Sequence, residues 1–432
     1  KTIEAVATAN ITSKAPVILN SAGTVTPVGT TPQSSSIGAL TTYSGTTASR
    51  TSTTYVSNNK FCVIYQHGGG SSYPNARIGT ITGTSVSWGA ATVIVSTTST
   101  TFASCYDPVN DKVVAALDLN TFGSDNGQTY VGTVSGTGIS FGTKVQFASG
   151  TVYPYSMVYD TASGNCVIAY VGVGSTLDAI VGAVSGTTIT FGTAVQSTTG
   201  NKMIGCYNSS LNNIAIAYFN PGSSNRGELR VATVTGTAIS FGTAVVFSSD
   251  GTYPGGIAYD SVQNKVLITY QNRGASDIGT GIVGTPSGTT MTFGATATFD
   301  TLGDYGSALF KGQAYSPLGA QHIVGYSDAG DSAKGKYTIA TISGTTPTFA
   351  TPVQFDGAAV NHVTVAIDES GPYALMAFQE SGGVGRSIVY KMAADITNLT
   401  ATNFVGIADA AISSAATGTV VVQGGTITGL SS

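Results

Sequence analysis

Charge is what this chain has least of. Only 9% of its 432 residues are Asp, Glu, Lys or Arg, against roughly a quarter in an ordinary soluble domain, so the surface must be neutral and rich in hydroxyls. The 17 Lys and Arg are scattered singly and the formal net charge is −4. With no basic stripe to release counterions from nucleic acid or to grip anionic lipid, neither is expected as a partner. No apolar run approaches the roughly 18 residues of a membrane helix, and Lys1-Thr2-Ile3-Glu4 opens no signal-peptide pattern, so membrane insertion is not expected. Cysteine is sparse too: Cys62, Cys105, Cys166 and Cys206 show no CxxC spacing and no nearby His cluster, which leaves zinc and thioredoxin-type chemistry without support. Cys105 and Cys206 precede a recurring Tyr in a slot that Val158, Ala258, Ala314 and Ala366 fill elsewhere, and so read as small buried hydrophobes. Whether two thiols stand close enough to pair is left open.

What is abundant is Gly, at 56 residues, with 21 Tyr, 16 Phe and regularly placed Val and Ile that supply the apolar area a disordered linker lacks. These residues repeat. The segment Val131-Gly132-Thr133-Val134-Ser135-Gly136-Thr137-Gly138-Ile139-Ser140-Phe141-Gly142 recurs around Trp88, Phe191, Phe241, Phe293 and Phe349, at aromatic spacings of 53, 50, 50, 52 and 56. A seventh, degenerate copy over Ile388 to Phe404 would put Leu399 in the aromatic slot. A second marker, Tyr55, Tyr106, Tyr159, Tyr207, Tyr259, Tyr315 and, by substitution, Ile367, also counts seven.

Inside each copy apolar and polar residues alternate with β-branched enrichment, as in Lys265-Val266-Leu267-Ile268-Thr269-Tyr270, and nothing carries a 3.6-residue period. In the copy around Phe293 this predicts four strands, Tyr253 to Tyr259, Lys265 to Tyr270, about Gly279 to Thr285 and Thr290 to Phe299, with a Tyr-Asp turn after the first and a Ser-Gly-Thr hairpin after the third. Seven units of four antiparallel strands predict an all-β fold, a seven-bladed β-propeller over residues 46–408. A β-solenoid, the other use of such repeats, would have shorter rungs of roughly 20–30 residues and parallel strands. The flanks resemble each other, Ala9-Asn10-Ile11-Thr12-Ser13 against Ala410-Ala411-Ile412-Ser413-Ser414, so a small accessory β-unit built from both ends is expected. Residues 1–45 are assigned to attachment or oligomerisation, and 409–432 to pairing with the N-terminal flank or with a neighbouring chain.

Strand direction alternates, so two sets of connections lie on opposite faces. One set, the Tyr-Asp turns and Ser-Gly-Thr hairpins, is short and uniform; the other is longer and differs from blade to blade, which is where binding residues usually sit on a rigid scaffold. The candidates there are His67, Tyr73 and Arg77, then Phe122 and Asp125, Tyr153 and Tyr155, Arg226, Arg273, Tyr305, Asp328 and Arg386. Such side chains stack on and hydrogen-bond to neutral sugars or a partner protein, although most loop polars are simply solvated.

The sequence offers little for catalysis. His67, His322 and His362 lack metal-ligand spacing, and His322 falls among strand residues, where a satisfied structural histidine is the simpler account. Asp107, Asp160 and Asp260 read as Asx-turn residues because Asn208 and Ser316 fill the same slot. Asp300 with Asp304, or Asp328 with Asp331, are the carboxylate pairs a polysaccharide-acting propeller could draft. There is no Gly-x-Ser-x-Gly elbow, and Gly172-Val173-Gly174 has no following helix to cradle a phosphate. Neither catalytic residues nor a metal or cofactor are therefore expected.

The repeat Gly-Thr-Val-Ser-Gly-Thr-x-Ile-Ser-Phe-Gly-Thr, followed by Tyr-Asp and Asn-Lys-Val-Val or its variants, resembles the propeller-bearing structural proteins of tailed, especially marine, bacteriophages, of tail-fibre or head-decoration type. The resemblance covers Tyr55 to Phe404, and Ala15 to Val25 is similar to the β-modules that precede such propellers. It implies a non-enzymatic component of the virion surface that contributes to host attachment, with other virion proteins held through the terminal flanks, a host-surface glycan or protein receptor, and a homo-oligomer as further expected partners. A cellular surface adhesin or extracellular filament module, and a polysaccharide-acting enzyme, are the alternatives.

Overall fold

The computed structural model describes residues 2–13, 15–20, 22, 24–69, 72–119, 126–300, 312–368, 371–397, 404–408 and 411–421. The chain divides into two compact units: Ser36–Met392, and Lys1–Ser35 together with Ala393–Ser432.

In the larger unit each repeat folds as an antiparallel sheet, here called a blade. Blade three runs from an inner strand Tyr153–Asp160 through Asn165–Gly172 and Thr176–Ser185 to an outer strand in two pieces, Thr188–Phe191 and Val195–Thr199. Blade five shows the expected order, Lys265–Asn272, Ile278–Ser287 and Thr290–Asp300 following the C-terminal part of Val245–Asp260. Each inner strand neighbours the next, and the inner strand of blade seven, within Val353–Ile367, neighbours that of blade one, within Thr41–Tyr55. The ring is closed, and the unit is a seven-bladed β-propeller.

Local chemistry explains the blades. In the turns after the inner strands, Asp107, Asp160, Asn208 and Asp260 are buried. Each offers a side-chain oxygen to the backbone N–H groups two and three residues ahead, at 2.8 to 3.4 Å. These are Asx turns, as expected. The hairpins between third and outer strands hold Gly83, Gly136, Gly186, Gly236, Gly288 and Gly344 at φ between 57° and 63°, the left-handed region a two-residue turn needs at its first position.

Two further glycine slots set the packing. On the third strand, a β-carbon at Gly132 would stand 2.8 Å from the Phe141 ring, so the outer-strand aromatic lies over bare backbone. Next to the aromatic, Gly89, Gly142, Gly192, Gly242 and Gly294 each press on the hairpin carbonyl of the following blade, where a β-carbon would come within 1.9 to 2.2 Å. Apolar side chains fill the layers between blades: Ile64 and Ala76 of blade one meet Leu117 and Tyr130 of blade two, and Cys105 meets Met157 and Ile168. Each fully buried aliphatic side chain contributes about 1.5–3 kcal/mol. Near the axis hydroxyls zip neighbouring blades, Ser104 to Ser52 and Thr54 at 2.8 and 2.6 Å, and Thr53 to Thr364 at 2.6 Å.

The seventh blade departs from the sequence expectation. Its outer strand comes from the N-terminal side: Ser36–Ile37 and the start of Thr41–Tyr55 pair with Val384–Lys391. Ile37, opposite Tyr390, takes the aromatic slot assigned to Leu399, a residue outside the described set. Where other blades have Gly or Ala on the third strand, this one has Tyr390, and the residue opposite it is the aliphatic Ile37 in place of a ring. Gly38 then touches the Thr84 carbonyl of blade one as Gly142 touches Thr187. Blade six carries Ala350 in this slot, and the blade after it has no hairpin there to be touched. The propeller therefore spans Ser36–Met392 rather than 46–408.

The smaller unit interleaves both ends of the chain. Its five-stranded sheet has the order Thr2–Val6, Thr417–Val421, Phe404–Ala408, Pro16–Leu19, Val25–Pro27, and Ala394–Thr397 pairs with Thr30–Gln33. Ile11 and Ile412, in the matching flank segments, bridge to each other within a core that includes Val17, Val25 and Val420.

All four cysteines are free. Cys105 and Cys166 nevertheless lie together between blades two and three, with the Cys105 thiol donating to Cys166 Sγ at 3.3 Å.

Candidate functional site

The variable connections follow the second strand or lead into the inner strand, so their residues gather on one face of the ring. In blades four, five and six the loops after the second strand share one conformation despite their different sequences. Asn220, Asn272 and Asp328 cap short 3-10 turns, and Ser224, Ser276 and Ser332 follow in the left-handed region. The caps satisfy the backbone locally, so sequence varies while shape does not. The expectation that these loops differ in every blade is corrected accordingly.

Most of the charged candidates are held within their own blades. Arg226 Nε reaches Glu228 Oε1 at 2.6 Å, and Arg386 Nε reaches Glu380 Oε2 at 2.9 Å. Asp328 is buried, caps its turn through Gly330 N–H at 2.9 Å and pairs with Lys336. Its proposed carboxylate companion, Asp331, is bound to Lys334 at 2.8 Å and Lys336 at 3.3 Å. Arg77 is no loop residue. It sits within Tyr73–Thr82 opposite Val63, half-buried beside Tyr65, and its counterpart Arg230 in blade four bonds the Gly242 carbonyl at 2.8 Å. His67 and Tyr73 face each other across one hairpin, and His67 Nε2 lies 2.7 Å from Thr46 Oγ1. Phe122, Asp125 and Tyr305 lie outside the described residues.

The residues that converge are partly others. Each inner strand starts on this face, and several carry a bulge near their start. One bulge position holds Arg50, Lys202 and His362, all with positive φ, where blades three and five have Pro154 and Pro254. The bulge turns the first two side chains toward the following blade. Arg50 Nη1 donates to the Thr100 carbonyl at 2.5 Å, and Lys202 Nζ sits 3.7 Å from the centre of the Tyr253 ring. Arg273 also stacks on Tyr253, at 4.8 Å, and donates to its hydroxyl at 3.0 Å, while Phe219 packs against the same ring at 5.3 Å. Tyr253 thus organises two cations, each such contact being worth on the order of 0.5–1 kcal/mol where exposed.

In blade three, next to the blade of Lys202, stand Tyr153, 37% exposed, and Tyr155, whose hydroxyl pKa is pushed up to about 12 by burial, with Tyr153 and Asp118 adding to the effect and Arg50 opposing it. Burial, and then the Arg50 cation, push His362 down to about 4, so its imidazole is neutral at physiological pH. A repeat alignment carries a faint trace of this set, since a charged residue stands where two blades have Pro, but nothing local marks it as a site.

Away from this face, His322 is buried as expected but only half satisfied, since Nδ1 meets Gln313 while Nε2 has no hydrogen-bond partner among the described residues. It stacks on Tyr315 at 4.8 Å and lies 3.3 Å from Gln313 and 3.8 Å from Asp260. No cluster of metal-ligating side chains occurs among the described residues.

No protein-family model and no curated protein matches the sequence. Solved structures do. A periplasmic gluconolactonase from Pseudomonas aeruginosa superposes with a TM-score of 0.51 at 10% identity, over 72% of this chain and 86% of that one. The β-propeller domain of Cps50 (Swd1) from Myceliophteria thermophila gives 0.50 at 8%, over 82% and 99%, and a protein from Lactobacillus plantarum gives 0.50 at 10%, over 70% and 88%. The fold is that of β-propellers. At such identities the likeness extends to fold alone.

Proposed function

We propose that this chain is a non-enzymatic recognition protein displayed on the surface of a tailed-phage virion, whose variable face engages a glycan of the host surface. The observation that carries the recognition part is the Tyr253 assembly. In a chain with 17 Lys and Arg, two of them, Lys202 and Arg273, converge on one ring at the axis-facing edge of this face, with Tyr153 and Tyr155 on a neighbouring blade. Planar guanidinium and phenol groups held by a rigid ring of strands suit sugar rings, whose faces stack and whose hydroxyls take hydrogen bonds. Among the described residues of this face Arg226, Arg386, Asp328 and Asp331 are ion-paired within their blades, whereas Lys202 and Arg273 meet on one aromatic ring, with Arg273 keeping only a longer contact to Asp277 at 3.8 Å. The virion setting is supported by the repeat resemblance.

Replacing Tyr153, Tyr253 and Arg273 together by Ala tests the reading on assembled particles. Adsorption to host cells is expected to fall tenfold or more, as loss of aromatic and Arg anchors does at other interfaces. Unchanged adsorption with an intact fold would remove the glycan-binding face, and cryo-electron microscopy placing the protein on a cell envelope would remove the virion setting.

A further inference from the structure

One position of the blade carries charge repeatedly. It lies on the third strand opposite the large aromatic of the second: Glu228 opposite Tyr218, Lys336 opposite Tyr326, Arg386 opposite Phe378 and Asp178 opposite Tyr170. Three of these four charges are neutralised by their own blade. Glu228 receives Arg226 at 2.6 Å, the Tyr218 hydroxyl at 2.7 Å and the Asn220 amide at 3.1 Å; Lys336 lies between Asp328 and Asp331; Arg386 meets Glu380.

Blade three keeps the carboxylate and loses its partners. The positions of Arg226 and Asn220 are taken by Thr176 and Gly172. Gly172 admits nothing larger, because a β-carbon there would stand 2.0 Å from Asp178 Oδ2. Asp178 Oδ1 is buried with no hydrogen-bond partner among the described residues, a costly state for a carboxylate oxygen. Burial holds the carboxyl above its usual range, with only the Thr176 hydroxyl drawing it back.

A cavity of about 510 Å³ opens beside this carboxyl, between blades two and three on the variable face, lined by Gln146, Phe147, Val152, Tyr170, Asp178 and Gln196 among others. Phe147 and Tyr170 meet edge to face at 5.3 Å and form an apolar wall, while Gln196 is tied to the Thr176 hydroxyl at 3.1 Å.

We propose that this cavity binds a guanidinium group on an aliphatic stem, the arginine side chain of a partner protein, which would complete Asp178 as Arg226 completes Glu228 in the next blade. The apolar wall suits the stem, and the Asp178 carboxyl in the lining suits the fork of donors. The site is separate from the Tyr253 assembly and does not depend on it.

The test uses N-acetylarginine methylamide as probe, titrated against the full chain and followed by NMR or calorimetry, with glucosamine as a second probe. The arginine amide is expected to bind in the millimolar range, and Asp178→Asn to weaken it tenfold or more. Thr176→Arg, which restores in blade three the arrangement of blade four, is expected to raise the melting temperature and abolish probe binding without touching the carboxylate. Binding unchanged in both variants, or no binding of the arginine amide at 20 mM (on the order of −2 kcal/mol), would overturn the site. Tighter binding of glucosamine than of the arginine amide would overturn the protein partner in favour of an amino sugar.

Discussion

Asp107 shows how much one side chain does in this fold. Its Oδ1 accepts the N–H groups of Val109 and Asn110, both at 3.0 Å, and Oδ2 takes the Asn110 amide at 2.8 Å. Asp107→Ala is expected to cost about 1–3 kcal/mol, since it strips the acceptor from a turn that has no other. Asp107→Asn should cost less, because it keeps the acceptor that Asn208 uses in the blade-four turn and loses only the bond from the Asn110 amide; chemical denaturation of the two variants separates the cases. The Tyr before this slot adds a second local tie: Tyr106 donates to Asp111 at 2.7 Å, Tyr207 to Asn212 at 2.9 Å and Tyr259 to Asn264 at 2.7 Å. These acceptors sit five residues on, in the left-handed region where Asn and Asp are the best-tolerated side chains after Gly. All of this is contained in six consecutive residues, which is why the turns could be read from the sequence. Arg77 could not: its place in the chain, four residues after Tyr73, suggests a loop, and only the strand register shows it tucked beside Tyr65.

At the scale of elements, the outer-strand glycines govern how blades meet. Gly38→Ala would drive a β-carbon into the Thr84 carbonyl, 1.9 Å away. It is expected to destabilise the propeller by about 1–3 kcal/mol, as overpacking does, acting where blade seven closes on blade one. Ala350→Gly, in the corresponding slot of blade six, should cost no more than the roughly 0.5–1 kcal/mol that a strand glycine loses in chain entropy. Equal losses in the two variants, read from thermal unfolding, would refute the role given to Gly38. The sequence held a trace of this closure, since Ser36-Ile37-Gly38 echoes Ser140-Phe141-Gly142. The echo lies some 350 residues from its sheet partner Tyr390, and periodicity, which looks for the next copy downstream, points to Leu399 instead.

For the whole molecule, the ionisable groups bound a pH window. His362 is held near pKa 4, and His322 is also lowered, in each case chiefly by burial. Below about pH 6.5 the unfolded chain takes up protons that the folded chain refuses, so stability should fall as pH drops toward 4. At the other end burial raises Cys62 from 9.0 to about 12, and Tyr270 from 10.0 to about 12. A folded state that holds these protons more tightly loses stability as pH rises above about 9. Melting temperature measured from pH 4 to 11 is expected to show a plateau between roughly 6.5 and 9 with declines on both sides; a flat profile through pH 5 would contradict the buried, neutral histidines.

Legible along the chain were the count of seven, the four-stranded unit and the turn chemistry, because each rests on contacts between residues a few positions apart or on repetition at a fixed period, and also the accessory unit, because its two flanks resemble each other. Tertiary structure decided which strand closes the ring, which charged loop residues are already paired, and which carboxylate, Asp178, is left facing a cavity. Those outcomes depend on what stands across a strand or in the next blade, where one residue, such as Tyr390 for Gly or Thr176 for Arg, changes the answer without disturbing the pattern along the chain.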